Sequence, residues 1–335
     1  MPDFERDILD ASDFNGTVRA SAFSWSSTRE RLFRHCQRAC FLRYYLAQGG
    51  WDPHAHPLIR SAYCDKYCQP FPVWLARTFQ TGINSGFRKA IRLTPDSRKR
   101  AFSSACLRML SKSLFDLQFS MENKEYLRDP KMPMLLECRG DGIGRFNEMK
   151  QYALDSFSTG FAAFVKSDLF RELIQLDIMD FRLDEPAWSF QFEQWPVWFA
   201  PGLVFFLRGR FSMLTCTAEA GTEEQQQDLP VTAALFALHI KSKWKKTPSA
   251  WAFRFAPDHA SFEEIHPVSG IRSRIRSGSL DMLSRIQPDG RVCYKNFPCT
   301  DRTESCPDCP FAGTCRMLKE WEKNTETEKT TEEKT

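Results

Sequence analysis

Three cysteines near the C-terminal end, Cys306, Cys309 and Cys315 in "ESCPDCPFAGTCRML", follow a C-x2-C-x5-C spacing. Thiolates hold zinc ions and iron–sulfur clusters, and the Pro and Gly between these cysteines suit a loop wrapped around such a group. Sites of this kind usually take four protein ligands, so one is missing from the stretch. A helical segment near the N-terminus offers two candidates, Cys36 and Cys40, one turn apart and able to point at the same place. Spacing alone does not separate zinc from a [4Fe–4S] cluster, because both use four thiolates. The looser pairs Cys64/Cys68 and Cys293/Cys299 read as core or surface thiols, and Cys106, Cys138 and Cys216 as packing residues.

These residues need elements to position them. The chain has 335 residues, 42% of them hydrophobic and including 29 Phe and 9 Trp, enough for a large core. No apolar run reaches the roughly 18 residues of a membrane span. The acidic start "MPDFERDILDASDFNG" lacks a hydrophobic signal region, so the expected location is cytoplasmic and the expected state of the 12 cysteines is reduced or metal-bound. "STRE" from Ser27 reads as a capping box opening a helix that runs to Gly49, with Phe33, Cys36, Cys40 and Tyr44 on one face. Further helices are expected over 72–93 and 101–125, then a linker over 130–145, then more helix to about Gln175.

The pattern changes at 187–221, an aromatic stretch broken by Pro and Gly that reads as a three-strand meander with "LRGR" as a hairpin turn. A helix from "DLPVTAALFALHIKSKW", a strand over 250–257 and a helix over 271–286 follow. The low-complexity tail 322–335 reads as disordered. The fold class is therefore α/β with a helical N-terminal portion.

"FSWSSTRERLFRHCQRACFLRYYLAQGGW" together with the C-terminal cysteine run resembles the iron–sulfur nucleases of the PD-(D/E)XK superfamily, of the RecB and AddB type. The resemblance implies one nuclease-like domain over 22–318, preceded by an N-terminal segment 1–21. Its core lies at about 72–93 and 187–257, a helical insertion at about 101–175, and the cluster-binding ends at 27–45 and 293–318. It also implies a [4Fe–4S] cluster, with zinc as the alternative, on Cys36, Cys306, Cys309 and Cys315, and it favours Cys36 over Cys40.

Catalysis in that superfamily needs carboxylates and a lysine around Mg²⁺ or Mn²⁺, which prefer oxygen ligands and activate water. The matching positions here cannot do this. Gly202 stands at the first acid, Thr215 and Thr217 at the second acid and the lysine, Leu229 and Ala233 at orienting polar positions, and Gly86 at a helix histidine. A register through Glu219 and Gly221 also lacks the lysine. A displaced acidic site would draw on Asp177, Asp180, Asp184, Glu185 and Glu193, a cluster that otherwise reads as a solvated loop. The six His show no motif spacing.

The net charge of +4 is too small to imply a nucleic-acid partner by itself. Basic residues do cluster, in "FRKAIRLTPDSRKR" around Arg88 and Lys89, in "IRSRIRS", and in "KSKWKK", where Trp244 sits among Lys241, Lys243, Lys245 and Lys246. Such groups can neutralise phosphates, and the indole can stack on a base. The expected function is that of an inactive nuclease-like protein. It would bind DNA, or a protein partner such as a helicase or defence-system component, in repair, recombination or defence. The rivals are an active metal-dependent DNase with displaced acids, and a protein scaffold that binds no nucleic acid.

Overall fold

The computed structural model describes residues 14–332, apart from 130, 140–142, 184–186, 220–222, 302–303 and 305. Strand β1 (Thr17–Arg19) leads into helices α1 (Ser27–His35) and α2 (Gln37–Phe41), a π-helical turn over Leu42–Leu46, and α3 (Pro57–Tyr67). Strand β2 (Cys68–Gln69) precedes the long helices α4 (Phe71–Ala90) and α5 (Pro95–Asn123). Strand β3 (Met134–Leu135), inside the expected linker, pairs with β2, and α6 (Ile143–Lys166) and α7 (Asp168–Leu173) follow. Next come strands β4 (Phe181–Arg182), β5 (Trp188–Phe192), β6 (Trp195–Phe199), β7 (Leu203–Leu207) and β8 (Arg210–Ala218). Helix α8 (Glu223–Trp244), β9 (Ser249–Phe255), β10 (Ala260–Glu264), α9 (Ile271–Leu283), β11 (Arg291–Cys293) and α10 (Ala312–Glu332) complete the chain.

The expected three-strand meander is four strands divided between two sheets. β5 and β6 form a separate hairpin, while β7 and β8 join a five-stranded sheet in the order β10-β9-β8-β7-β4. The "LRGR" turn does close β7 on β8, with Arg208 and Gly209 both at positive φ, as a two-residue hairpin needs. β8 and β9 are parallel, and helix α8 makes the crossover between them.

Alternation along β8 divides the core in two. Met213 packs with Leu235 and Phe236 of α8 and with Phe41 of the N-terminal segment. Leu214, Cys216 and Ala218 pack on the opposite face with Leu75, Phe79 and Ile83 of α4. The sheet is thus an α/β centre buried on both sides.

Three further expectations change. Ser26, not Ser27, caps α1 and accepts from the Arg29 N–H. The helix expected to run on to Gly49 is interrupted at Cys36, whose backbone is extended (φ −154°, ψ 109°). The tail expected to be disordered continues as helix α10 to Glu332. Among the described residues no helix is long and apolar enough to cross a membrane.

Candidate functional site

The sheet position that the resemblance assigns to catalysis is occupied by packing. The β7–β8 ladder pairs Leu203 with Leu214, so its next step sets Gly202 opposite Thr215. Gly202 has φ +78°, and a Cβ there would collide with the Leu214 carbonyl and come 2.9 Å from Gln80 Oε1. Gln80 reaches in from α4. Its Oε1 accepts from the Cys216 N–H (2.8 Å), and its Nε2 donates to Asn84 Oδ1 (2.9 Å). Thr215 donates to the Pro201 carbonyl (3.3 Å), and Thr217 is buried. Leu229 and Ala233 are buried in the core beneath α8.

Gly86 does not face this place. A Cβ there would meet the Phe102 ring at 2.6 Å, so it serves the close packing of α4 on α5. Glu219, just past the end of β8, pairs with His259, whose other ring nitrogen lies 2.8 Å from Asp258.

Among the described residues the candidate displaced acids do not converge either. Asp177 and Asp180 cap a short 3-10 turn, and Asp177 also pairs with Arg98. Glu193, at the tip of the β5–β6 hairpin, pairs with Arg276. Asp184 and Glu185 lie outside the described residues, as does Gly221.

The thiols gather elsewhere, where the C-terminal segment meets the N-terminal helices. Cys36 sits at the α1–α2 break, where its Sγ accepts from the Ala39 N–H (3.4 Å) and caps α2. Cys40 is buried beside Arg29, and burial pushes its thiol up to about 12. The Cys309 thiol is also raised by burial, to about 11, and feels the nearby charges of Cys36 and Cys306. Cys306 is exposed, while Cys309 and Cys315 are half-buried.

A network that no motif announces fixes this region to the rest of the chain. Buried Asp65 of α3 accepts from Thr314 Oγ1 (2.6 Å) and pairs with Arg139 (2.6 Å), and Arg139 also donates to the Pro310 carbonyl. A second anchor joins Arg38 to the segment before Cys299. The Arg38 N–H donates to the Pro298 carbonyl (3.0 Å) and its Nε to the Phe297 carbonyl (2.8 Å).

The quartet of Cys36, Cys306, Cys309 and Cys315 is only partly assembled. The donor chemistry suits zinc or an iron–sulfur cluster. Among the described residues, however, no three His, Cys, Asp or Glu side chains meet where they could hold one ion. The sulfur that does lie against Cys315 is that of Cys299, at 3.9 Å. The hydrogen bond with Cys315, opposed by burial and helped by Arg38 and Lys319, holds the Cys299 thiol down at about 6, and the same interaction raises Cys315.

The basic clusters differ in how free they are. Lys241, Lys243, Lys245 and Lys246 are exposed at the C-terminal end of α8. Trp244 is not a free stacking platform, because its ring packs on Phe211 (4.7 Å) and His239 (5.9 Å), with Lys243 across it (4.6 Å). Lys89 is exposed, whereas the exposed Arg88 also donates to the Leu183 carbonyl. Arg98 is buried among the carbonyls of Leu93, Ile174 and Leu176. In "IRSRIRS", Arg274 pairs with buried Glu30 (2.8 Å) and Arg276 with Glu193, so both are structural.

No protein-family model and no curated protein matches the chain. One solved structure, described as "Crystal structure of SSO0001", aligns with a TM-score of 0.29 and 12% identity, over 60% of this chain and 82% of that chain. A likeness of that size bears on neither fold nor activity.

Proposed function

We propose that this chain is a PD-(D/E)XK-like protein of the RecB/AddB type that binds DNA without cutting it. The observation that carries the reading is the filled position at Gly202. A carboxylate cannot be accommodated there without displacing the Leu214 carbonyl and the Gln80 amide. Thr215 and Thr217, the neighbouring positions, bring neither a carboxylate nor a lysine to a hard divalent ion. The succession of helix α4, antiparallel strands β4, β7 and β8, crossover helix α8 and parallel strand β9 supports the fold assignment.

Four exposed lysines at the end of α8 supply the sequence-independent attraction to phosphates. The thiols around Cys36, Cys309 and Cys315 would hold a zinc ion or a [4Fe–4S] cluster in a structural role, joining the two ends of the chain. The test is labelled single- and double-stranded DNA titrated with the purified protein at low and moderate salt. Salt-sensitive binding is expected. No binding at low salt would leave the scaffold reading in its place.

A further inference from the structure

The basic cluster around Arg88 and Lys89 lies across the sheet from the α8 lysines, because α4 packs on the Leu214 side of β8 and α8 on the Met213 side. Helices α4 and α5 run antiparallel, with Gly86 against Phe102 and Gly82 against Cys106 and Leu110. A groove of about 300 Å³ opens along their junction. It is lined by Ser85, Arg88, Lys89 and Arg92 from α4 and the turn after it, and by Ala105 and Arg108 of α5. The lining thus holds four cations and no carboxylate, and all four cations are exposed. Arg88 and Arg108 donate to the carbonyls of Leu183 and Ser104, which cancel no charge. Arg274 and Arg276, by contrast, are neutralised by Glu30 and Glu193. Like charges gathered without partners repel one another, and a polyanion relieves that repulsion.

The stripe of α5 that carries Arg108 continues in aromatic rings. Phe115 and Phe119 stand seven and eleven residues further on, which a period of 3.6 keeps on the same side of the helix. Phe115 is 67% and Phe119 42% exposed, and their rings are nearly parallel (17°) with centroids 6.3 Å apart. Apolar residues exposed singly are ordinary, whereas two large rings side by side mark a binding surface. Lys112, on the same stripe, pairs with Asp116 (3.4 Å) and adds little net charge. A cationic groove that follows phosphates, continued by rings that stack on bases, suits an unpaired strand, whose base faces are free. The uncompensated cations favour such a polyanion over an apolar protein face. From Arg108 to Phe119 the helix rises roughly 17 Å, the length of about five nucleotides stacked at 3.4 Å.

We infer that the α4–α5 pair binds single-stranded DNA, with phosphates in the groove of Arg88, Lys89, Arg92 and Arg108 and bases stacked on Phe115 and Phe119. The inference rests on the reading that this chain binds DNA, and it adds a strand form and a surface separate from the α8 lysines.

The test is fluorescence anisotropy of a labelled oligothymidylate, long enough to cover groove and rings, titrated with the full chain across a salt series beside a duplex of equal length. Wild type is compared with Phe115→Ala/Phe119→Ala, Phe115→Trp/Phe119→Trp and Lys89→Ala/Arg92→Ala/Arg108→Ala, all at exposed positions. Loss of the two rings should weaken oligothymidylate binding about fivefold or more for each base unstacked, and the Trp variant should restore it. The salt slope and duplex affinity of the ring variants should not change, because stacking releases no counterions. Loss of the three cations should lower the slope of log affinity against log salt by roughly 0.7 for each phosphate no longer neutralised. Unchanged oligothymidylate affinity without the rings, or an unchanged slope without the cations, overturns the inference and leaves DNA binding by the chain standing. Self-association that disappears with the rings while oligothymidylate affinity stays intact also overturns it, in favour of a second copy on this face. A wild-type chain that binds neither oligothymidylate nor duplex at low salt overturns the DNA-binding reading, and the inference with it.

Discussion

At the scale of single residues, Gly202 and Gln80 explain why the position that the resemblance assigns to catalysis is closed. Positive φ at Gly202 costs about 1–2 kcal/mol for a residue with a Cβ. Crowding against Leu214 and Gln80 adds about 1–3 kcal/mol of overpacking. Gly202→Ala is therefore expected to destabilise the fold by about 2–5 kcal/mol in denaturant unfolding, and a change within about 0.5 kcal/mol would show that the position has room to spare.

Asp65 gives a pH signature. Burial, opposed by the Thr314 hydroxyl and the Arg139 guanidinium, holds its carboxyl above the ordinary value. Between the unfolded and folded values the native state keeps a proton that the unfolded chain has lost, so the stability this group contributes falls as pH rises through that window. Urea unfolding of wild type and Asp65→Asn across that range should show wild type losing stability relative to the variant as pH rises. A constant difference would contradict the assignment.

At the scale of elements, most helices and the β7–β8 hairpin are legible in the sequence, because their periodicity and turn residues act locally. Cys36 is legible as a ligand candidate but not as a helix break. "RLFRHCQRACFLRYY" contains no Pro or Gly to announce the interruption, which goes with Cys36 capping α2 and Arg38 holding the Pro298 carbonyl. The division of the meander into two sheets is likewise hidden. Trp188 and Phe199 look like any core strand residues, and only tertiary packing sends β5 and β6 against α8 through Trp188 and Phe236 (6.0 Å). Gln80 carries no signal, since a polar residue on an amphipathic helix reads as solvated. Cys299 is visible as a thiol, but its spacing to Cys306 belongs to no familiar motif.

The end of α8 yields a prediction that separates packing from binding. Trp244→Ala should cost about 2–3 kcal/mol of stability, a partly buried fraction of a full aromatic truncation, with DNA affinity little changed in the folded variant. Replacing Lys241, Lys243, Lys245 and Lys246 by Ala should leave stability nearly unchanged and weaken DNA binding. The slope of log affinity against log salt should fall by roughly 0.7–0.9 for each phosphate that is no longer neutralised. Equal DNA affinity and slope before and after would place the nucleic-acid face elsewhere.

At the scale of the whole molecule, two sets of residues have different roles. Asp65, Arg139, Thr314 and Arg38 tie the C-terminal segment to the N-terminal helices, with the thiols gathered between them. Gly202, Gln80, Thr215 and Thr217 pack the part of the sheet to which the resemblance would assign a metal ion and a phosphate. On the proposed reading a nuclease-like architecture persists without its activity, and DNA turnover tests that most directly. End-labelled single- and double-stranded DNA incubated with the full chain and Mn²⁺ should be bound and remain intact, with the same background in EDTA. Cleavage that requires Mn²⁺, scales with protein and disappears with EDTA would contradict it.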